Sequence, residues 1–299
     1  MSLSYGSLKA LKDISISVEE GELYGLIGPD GAGKSSLFRI LATLILPDSG
    51  RASLVGLDVV DNYEDIRKIV GYMPGKFSLY GDLTVEENLE LFARLFETTI
   101  DVNYHLIEDI YKQLEPFKNR RAANLSGGMK QKLALCCALI HEPKVLLLDE
   151  PTTGVDPVSR VEFWDMLKRL KEKGISILVS TPYMDEANLC DRISLIREGE
   201  ILMTDTPSNI ATSLDFTLLA VSASDMSRLL KDLRKWEGCH SCFAFGDTHH
   251  LILNEGFEER DVTKRLEEIG YKDIVVKEMR PTVEDAFMEL LQKKVANEG

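Results

Sequence analysis

The run Gly28-Pro-Asp-Gly-Ala-Gly-Lys-Ser-Ser36 constrains this chain more than any other feature. It satisfies G-x-x-x-x-G-K-[ST], follows the apolar run LYGLI and precedes a helical pattern that starts at Lys34. A strand turning through glycines into a helix aims successive backbone N–H groups into one concavity at the positive end of the helix dipole. Such a cradle fits phosphates, with Lys34 reaching the β and γ groups and Ser35 binding Mg²⁺. The binding residues are then Gly28, Pro29, Asp30, Gly31, Ala32, Gly33, Lys34, Ser35 and Ser36. With glycine at about 7% of average usage, a chance match is expected roughly once in a hundred chains of this length, so a glycine turn that binds nothing is the weaker reading.

Two further stretches add chemistry. In VLLLDEP, aliphatic residues run into Asp149 and Glu150, which places both acids at the carboxyl end of a buried strand, where α/β sheets hold ligands. Asp149 is expected to hold Mg²⁺, directly or through water, and Glu150 to orient or deprotonate an attacking water, so that Lys34 and Glu150 are the catalytic pair. An acidic pair ending a strand is by itself an ordinary solvated loop; with the phosphate loop it becomes the second half of a nucleotide site. Between them lies Leu125-Ser-Gly-Gly-Met-Lys-Gln-Lys132, where Ser126 suits a helix cap and Gly127 and Gly128 expose backbone donors. Farther on, ISILVSTPYMDEA reads as a strand handing over to a helix, with Thr181 as cap and Pro182 at the first helical position.

Up to about Thr206 strands and helices alternate, which predicts a mixed α/β domain with a largely parallel sheet. Strands are expected at Ile14–Val18, Leu23–Ile27, Ile69–Met73, Val145–Leu148, Ile175–Val179 and Ile193–Ile196. Helices are expected at Lys34–Leu44, Val85–Phe96, Ile107–Leu114, Gly128–Ile140 and Pro157–Lys171, and a hairpin turning at Glu198-Gly199 closes the domain. After a linker at 207–215, residues 216–297 read strand, helix, two strands, helix, strand, the ferredoxin-like βαββαβ order, with a last helix at Val283–Lys294. Cys239 and Cys242 have C-x-x-C spacing, yet the alternation around them reads as a hairpin turning at Gly246-Asp247 rather than as half a zinc site, because a second ligand pair is lacking. This second module carries no catalytic constellation, and packing or regulation is its expected role.

LSGGMKQK, set shortly before VLLLDEP and well after GPDGAGKSS, resembles the nucleotide-binding subunits of ATP-binding-cassette (ABC) transporters over about Tyr5 to Thr206. The resemblance implies a P-loop NTPase cassette with a RecA-like core, a β-subdomain and a helical subdomain at about 83–140. It also implies ATP and Mg²⁺ as cofactors and Tyr5 as the adenine-stacking aromatic. TTGVD, ending at Asp156, resembles the family's dimer-contact loop. The tail RPTVEDAFMEL resembles the accessory domain of drug-export cassettes of the ABC-2 class. In that family two cassettes meet head to tail, so Ser126, Gly127 and Gly128 would contact ATP held by a partner cassette. A membrane permease is the other implied partner, meeting the chain near Gly75–Asp82.

Two positions depart from the family pattern. Gly75 stands where a Gln contacts Mg²⁺ and the attacking water, and Pro182 stands where a His contacts the γ-phosphate; Asp30 replaces the commoner Asn. The sequence around Gly75 and Pro182 resembles the first half of tandem-cassette exporter subunits, which favours a heterodimer or tandem over a homodimer. Only MSLS precedes Tyr5, where the family has a β-strand, so the expectation is a fragment with vector residues at Met1–Leu3 and Glu298-Gly299 and a weakened β-subdomain.

Composition narrows the classes further. A net charge of −14 argues against nucleic acid as partner and against cassettes of translation or DNA maintenance. Five cysteines without a framework fit a reducing compartment. The longest nearly apolar stretch, Leu37 to Leu46, carries Arg39 and falls short of the roughly 20 residues of a membrane span, and no apolar leader is seen, so the cytoplasm, on the inner face of the membrane through the permease, is the expected location. Loss of one preorganised transition-state contact costs roughly 10² to 10³ in rate. Steady-state ATPase of the purified chain is therefore expected to run far below family-typical turnover, and brisk hydrolysis would refute the slow-site reading.

Overall fold

Apolar runs without polar alternation need cover on both faces, and the chain supplies it with helices on either side of a mostly parallel sheet. The structure is a computed structural model and describes residues 1–213 and 216–298. The chain divides into two compact units, Met1–Thr206 and Pro207–Gly299.

The first unit contains, in chain order, β1 (Leu3–Tyr5), β2 (Leu8–Leu11), β3 (Leu23–Ile27), α1 (Lys34–Leu41), β4 (Ser53–Leu54), β5 (Leu57–Asp58), α2 (Tyr63–Ile69) and β6 (Val70–Met73). There follow α3 (Val85–Leu95), α4 (Ile100–Leu114), α5 (Gly127–Leu139), β7 (Val145–Asp149), α6 (Pro157–Glu172), β8 (Ser176–Thr181), β9 (Arg192–Arg197) and β10 (Glu200–Asp205). Six strands form one sheet in the order β10-β9-β3-β8-β7-β6, with β9 to β6 parallel and only the edge strand β10 antiparallel. β3 and β7 are buried at every position, as doubly covered strands must be. Register brings Ile27 beside Thr181 and Asp149 beside Ser180, so the carboxyl ends of β3, β8 and β7 lie side by side.

Capping sets the helical insertion. Thr84 and Glu87 form a reciprocal capping box at the start of α3, and Thr99 caps α4 through the Val102 N–H, so that α4 starts at Ile100 and not at the expected Ile107. α5 buries residues around most of its circumference because it packs on α3 and α4 on one side and the sheet on another.

Several expectations are corrected. Ile14–Val18 is not a strand: Ile14, Ile16 and Val18 alternate inward, but the backbone has no ladder; Ile14 exchanges bonds with Met1, and Ser17 O accepts from Arg192 Nη2. A strand before and including Tyr5 is present, since β1 pairs antiparallel with β2 and buries Leu3. Thr181 does not cap an α-helix. The residue before a proline favours extended backbone, so Thr181 ends β8, and a 3₁₀ segment starts only at Met184, running to Leu189.

The second unit opens with a helix, α7 (Pro207–Thr212), where a linker was expected; Pro207 suits the first helical turn, and residues 214 and 215 of that linker lie outside the described residues. β11 (Leu218–Ser222), α8 (Met226–Arg234), β12 (Cys239–Phe245), β13 (Thr248–Leu253), α9 (Glu259–Glu268), β14 (Val275–Met279) and α10 (Val283–Glu298) follow. The antiparallel sheet order β12-β13-β11-β14 is the ferredoxin-like arrangement. β12 and β13 meet at a two-residue turn, Gly246-Asp247. Leu219, Val221, Cys242 and Leu251 pack with Leu229, Leu233, Val262 and Leu266 of α8 and α9 on one face. On the other, His250 Nδ1 lies 2.6 Å from Asp285 Oδ1 and His240 Nε2 lies 2.9 Å from Glu289 Oε1, fastening α10.

Cys136, Cys137 and Cys190 are buried, and burial pushes their thiols upward; it lifts Cys239 to about 11 and Cys242 to about 12. The thiolate is the reactive form, so native protein is expected to resist alkylation near about pH 8 at all five thiols. As pH rises, Cys239 should label first; mass spectrometry showing rapid native labelling of Cys136 or Cys137 would contradict this packing.

Candidate functional site

The phosphate loop leaves β3 at Gly28 and enters α1 at Lys34. Gly33, the residue before α1, has φ 105°, and a Cβ there would stand 2.4 Å from the Ala10 carbonyl oxygen of β2. Only glycine meets both demands. The loop is also stitched from behind: the Gly199 N–H donates to Ala32 O at 2.9 Å, and the Lys12 N–H donates to Gly199 O at 2.7 Å.

Lys34 is 2% exposed, yet its ammonium is fully used. It donates to Gly28 O at 2.7 Å and Pro29 O at 2.9 Å, and lies 3.1 Å from Glu150 Oε1. A charge this buried is tolerable because three partners replace water. Sequence-distant Lys34 and Glu150 therefore meet in one place.

The two acids of β7 face different surroundings. Asp149, 4% exposed, accepts from Ser180 Oγ at 2.7 Å. Ser180 Oγ in turn accepts from the Glu150 N–H at 3.0 Å, and that N–H also reaches Ser180 O at 3.1 Å. Glu150 has φ 51°, a left-handed conformation that costs a non-glycine residue on the order of 1–3 kcal/mol. This turn points Glu150 back toward Lys34. Burial, with the negative charge of Asp149 adding to it, pushes the Tyr72 phenol of β6 up to about 12.

A cavity of about 600 Å³ lies over this floor, lined by Tyr5, Gly31, Gly33, Lys34, Ser35, Ser36 and Glu150. Tyr5 is 46% exposed and its hydroxyl lies 3.4 Å from Ser36 Oγ. Among the other expected loop residues, Gly28 and Pro29 act through their carbonyls on Lys34, while Asp30 and Ala32 are not part of the lining. Lys9, Lys12 and Glu198 also line the cavity and were missed; register alone brings β2 and the β9–β10 turn there, and nothing in their local sequence signals it. Ser180 was missed as well, although a hydroxyl pair ending an apolar strand was a usable signal.

The donor set fits a triphosphate and its cation: a glycine-formed cradle at a helix start, one buried ammonium, and a hydroxyl and carboxylate of the hard-oxygen type that Mg²⁺ prefers. Ser126, Gly127 and Gly128 do not line this cavity. They open α5, where Ser126 Oγ accepts from the Met129 N–H at 3.3 Å, and they abut the 152–156 loop, with a Cβ at Gly127 falling 3.2 Å from Gly154 O. Asp156 ends that loop by capping α6 through the Ser159 N–H, which holds its carboxyl below the usual range. At Gly75 a Cβ would lie 3.1 Å from Asp149 O and 3.7 Å from its Oδ2, so position 75 borders the acid pair. Pro182 follows Thr181, whose carbonyl accepts from the Gly28 N–H at 3.2 Å.

Residues 11–153 match the family model described as ABC transporter. The chain is 41% identical over 286 residues to the probable multidrug ABC transporter ATP-binding protein YbhF of Escherichia coli K12, covering 94% of this chain and 49% of that protein, so it spans about half of that relative's length. It is 32% identical over 306 residues to the daunorubicin resistance ATP-binding protein DrrA2 of Streptomyces coeruleorubidus, covering 99% of this chain and 95% of the relative. A solved dimeric ATP-binding cassette in a post-hydrolysis state, bound to ADP and Pi, aligns with TM-score 0.62 and 27% identity over 69% of this chain and 94% of that one.

Gly33→Ala places a methyl against Ala10 O in a left-handed backbone, and is expected to destabilise the first unit by at least about 1–2 kcal/mol. Urea denaturation checks this; an unchanged midpoint would mean the loop does not pack on β2 as described.

Proposed function

The chain belongs to the ATP-binding proteins of ABC transporters, an ATPase family, and on that footing we propose that it binds ATP with Mg²⁺ over Lys34 and powers a drug-export permease of the ABC-2 type. The observation that carries this reading is Lys34, buried under the cavity, shared by two loop carbonyls and Glu150, with Asp149 at the adjoining position.

Residue roles follow from position. The amides at the start of α1 and the Lys34 ammonium receive the phosphates; Ser35 and Asp149 hold Mg²⁺, which screens the developing phosphate charge. An anion arriving at Lys34 competes with Glu150 for the same ammonium. Glu150, so released, is the base that orients the attacking water. Tyr5, half exposed at the rim, stacks the adenine.

Ser126, Gly127 and Gly128 serve an ATP held by another cassette, a reading supported by their absence from this cavity's lining. A second cassette, in a heterodimer or tandem, supplies the corresponding residues here. Gly75 beside Asp149 and Pro182 beside the Gly28 strand bring no side-chain donor to the γ-phosphate, so this cis site turns over slowly. Those two positions also support a second reading, a regulatory cassette that holds ATP unhydrolysed through its partner's cycles. Trapped nucleotide separates the two: ADP recovered from this site favours slow hydrolysis, and ATP alone favours regulation.

The permease meets the chain at a groove of about 530 Å³ beside the Gly75–Asp82 segment. Leu44, Met73, Leu79, Phe92 and Leu95 give it an apolar lining that suits a short amphipathic segment of the permease's cytoplasmic side. Among the described residues no helix is long and apolar enough to cross a membrane.

Titration with a fluorescent ATP analogue should give saturable binding, and its absence would sink the proposal. Gly75→Gln combined with Pro182→His should then raise steady-state turnover by roughly tenfold or more without tightening binding, since each restores a contact worth about 10² to 10³. An unchanged rate would mean that neither position limits this site.

A further inference from the structure

Glu186 is 2% exposed and does not line the cavity over Lys34. A carboxylate so far from water needs several donors, and the origin of these donors is the informative point. Thr152 Oγ1, two residues beyond Glu150, donates to Glu186 Oε1 at 2.8 Å. Thr181 Oγ1, the last residue of β8, donates to Oε2. Arg160 of α6 donates through Nε at 3.0 Å, and its Nη2 lies 2.9 Å from Oε1. The guanidinium also lies 4.2 Å over the Tyr183 ring and 3.3 Å from Asp185 Oδ2.

Each donor segment carries part of the site. Thr181 is paired with Ile27, and its carbonyl holds the Gly28 N–H. Ser180, its neighbour, holds Glu150 and Asp149. Thr152 belongs to the loop that runs from the left-handed Glu150 to the Asp156 cap of α6 and touches Gly127 through Gly154. Thr152 and Thr181 are themselves buried, at 1% and 0% exposure, so these bonds are shielded from competing water.

We propose that Glu186 is a positioning residue whose buried carboxylate clamps the 150–156 loop to the end of β8, and so fixes both the aim of Glu150 at Lys34 and the placement of the loop beside Gly127. The proposal rests on the reading of the site as an ATPase centre. It needs no contact between Glu186 and nucleotide. Glu186 reaches β8 through Thr181, while Ser180 joins β8 to the Glu150 N–H separately. Unpairing the clamp loosens the loop while the phosphate cradle at 28–35 is left intact.

The test uses the full chain with Glu186→Gln, which removes the charge but keeps the shape, and Thr152→Val, which removes one donor and leaves the Arg160 pair whole. Amide hydrogen exchange at residues 150–156 of the nucleotide-free protein is expected to quicken by roughly tenfold or more in both variants, as loss of a buried bond to a charged group shifts local opening. The dissociation constant of the fluorescent ATP analogue should stay within about twofold, while kcat falls roughly tenfold or more at unchanged KM, the signature of a lost transition-state arrangement. Unchanged exchange at 150–156 in both variants overturns the proposal, and so does nucleotide affinity that weakens in step with kcat. Should Glu186→Gln fail to fold, Thr152→Val decides alone. Because exchange is read without nucleotide, it judges the clamp even where the analogue titration fails and takes the functional reading down.

Discussion

Side-by-side parallel pairing of β3, β8 and β7 is the constraint on which the rest depends. The ladder fixes Ile27 against Thr181 and Asp149 against Ser180, and the residues that follow each strand inherit that alignment. A one-residue slip in β7 would exchange the inward and outward sets of side chains and carry Glu150 away from Lys34. The 3.1 Å contact between those two is thus a product of sheet register more than of local attraction. Burial of every residue in β3 and β7 makes the slip costly, so stability and site geometry share one source.

Much of this was legible before any coordinates. The glycine run, the aliphatic strand ending in Asp149 and Glu150, and the SGG helix start each carry a local signal that survives without tertiary context. The two units also follow from a change of pattern, from alternating α/β to βαββαβ. What stayed hidden depends on contacts between distant segments. Lys9, Lys12 and Glu198 reach the cavity only because β2 and the β9–β10 turn fold over the loop. Glu186 lies in the polar segment PYMDEA, where nothing local signals burial; its burial follows from Thr152 and Arg160, over twenty residues away in sequence.

The misread strands are instructive for the same reason. Ile14, Ile16 and Val18 do alternate inward, but alternation measures burial, and a ladder also needs a free partner edge. Leu3–Tyr5 is too short to show a period, and its pairing comes from the tight return to Leu8. Proline at 182 held back the helix expected after β8, because extended backbone at Thr181 was the stronger local demand.

The sandwiching of the second unit's sheet limits how that unit can recognise anything. α8 and α9 occupy one face and the histidine–carboxylate pairs bind α10 to the other, so among the described residues neither broad surface of β11 and β13 is open. Contact is left to the outer sides of helices, to loops, and to the two border strands. β14 presents Lys277 and Glu278, charges that discourage strand addition, whereas β12 carries its irregular register between Cys239 and Ser241. Any guest extending this sheet would have to accommodate one border that repels a flat strand and another that is bent out of line.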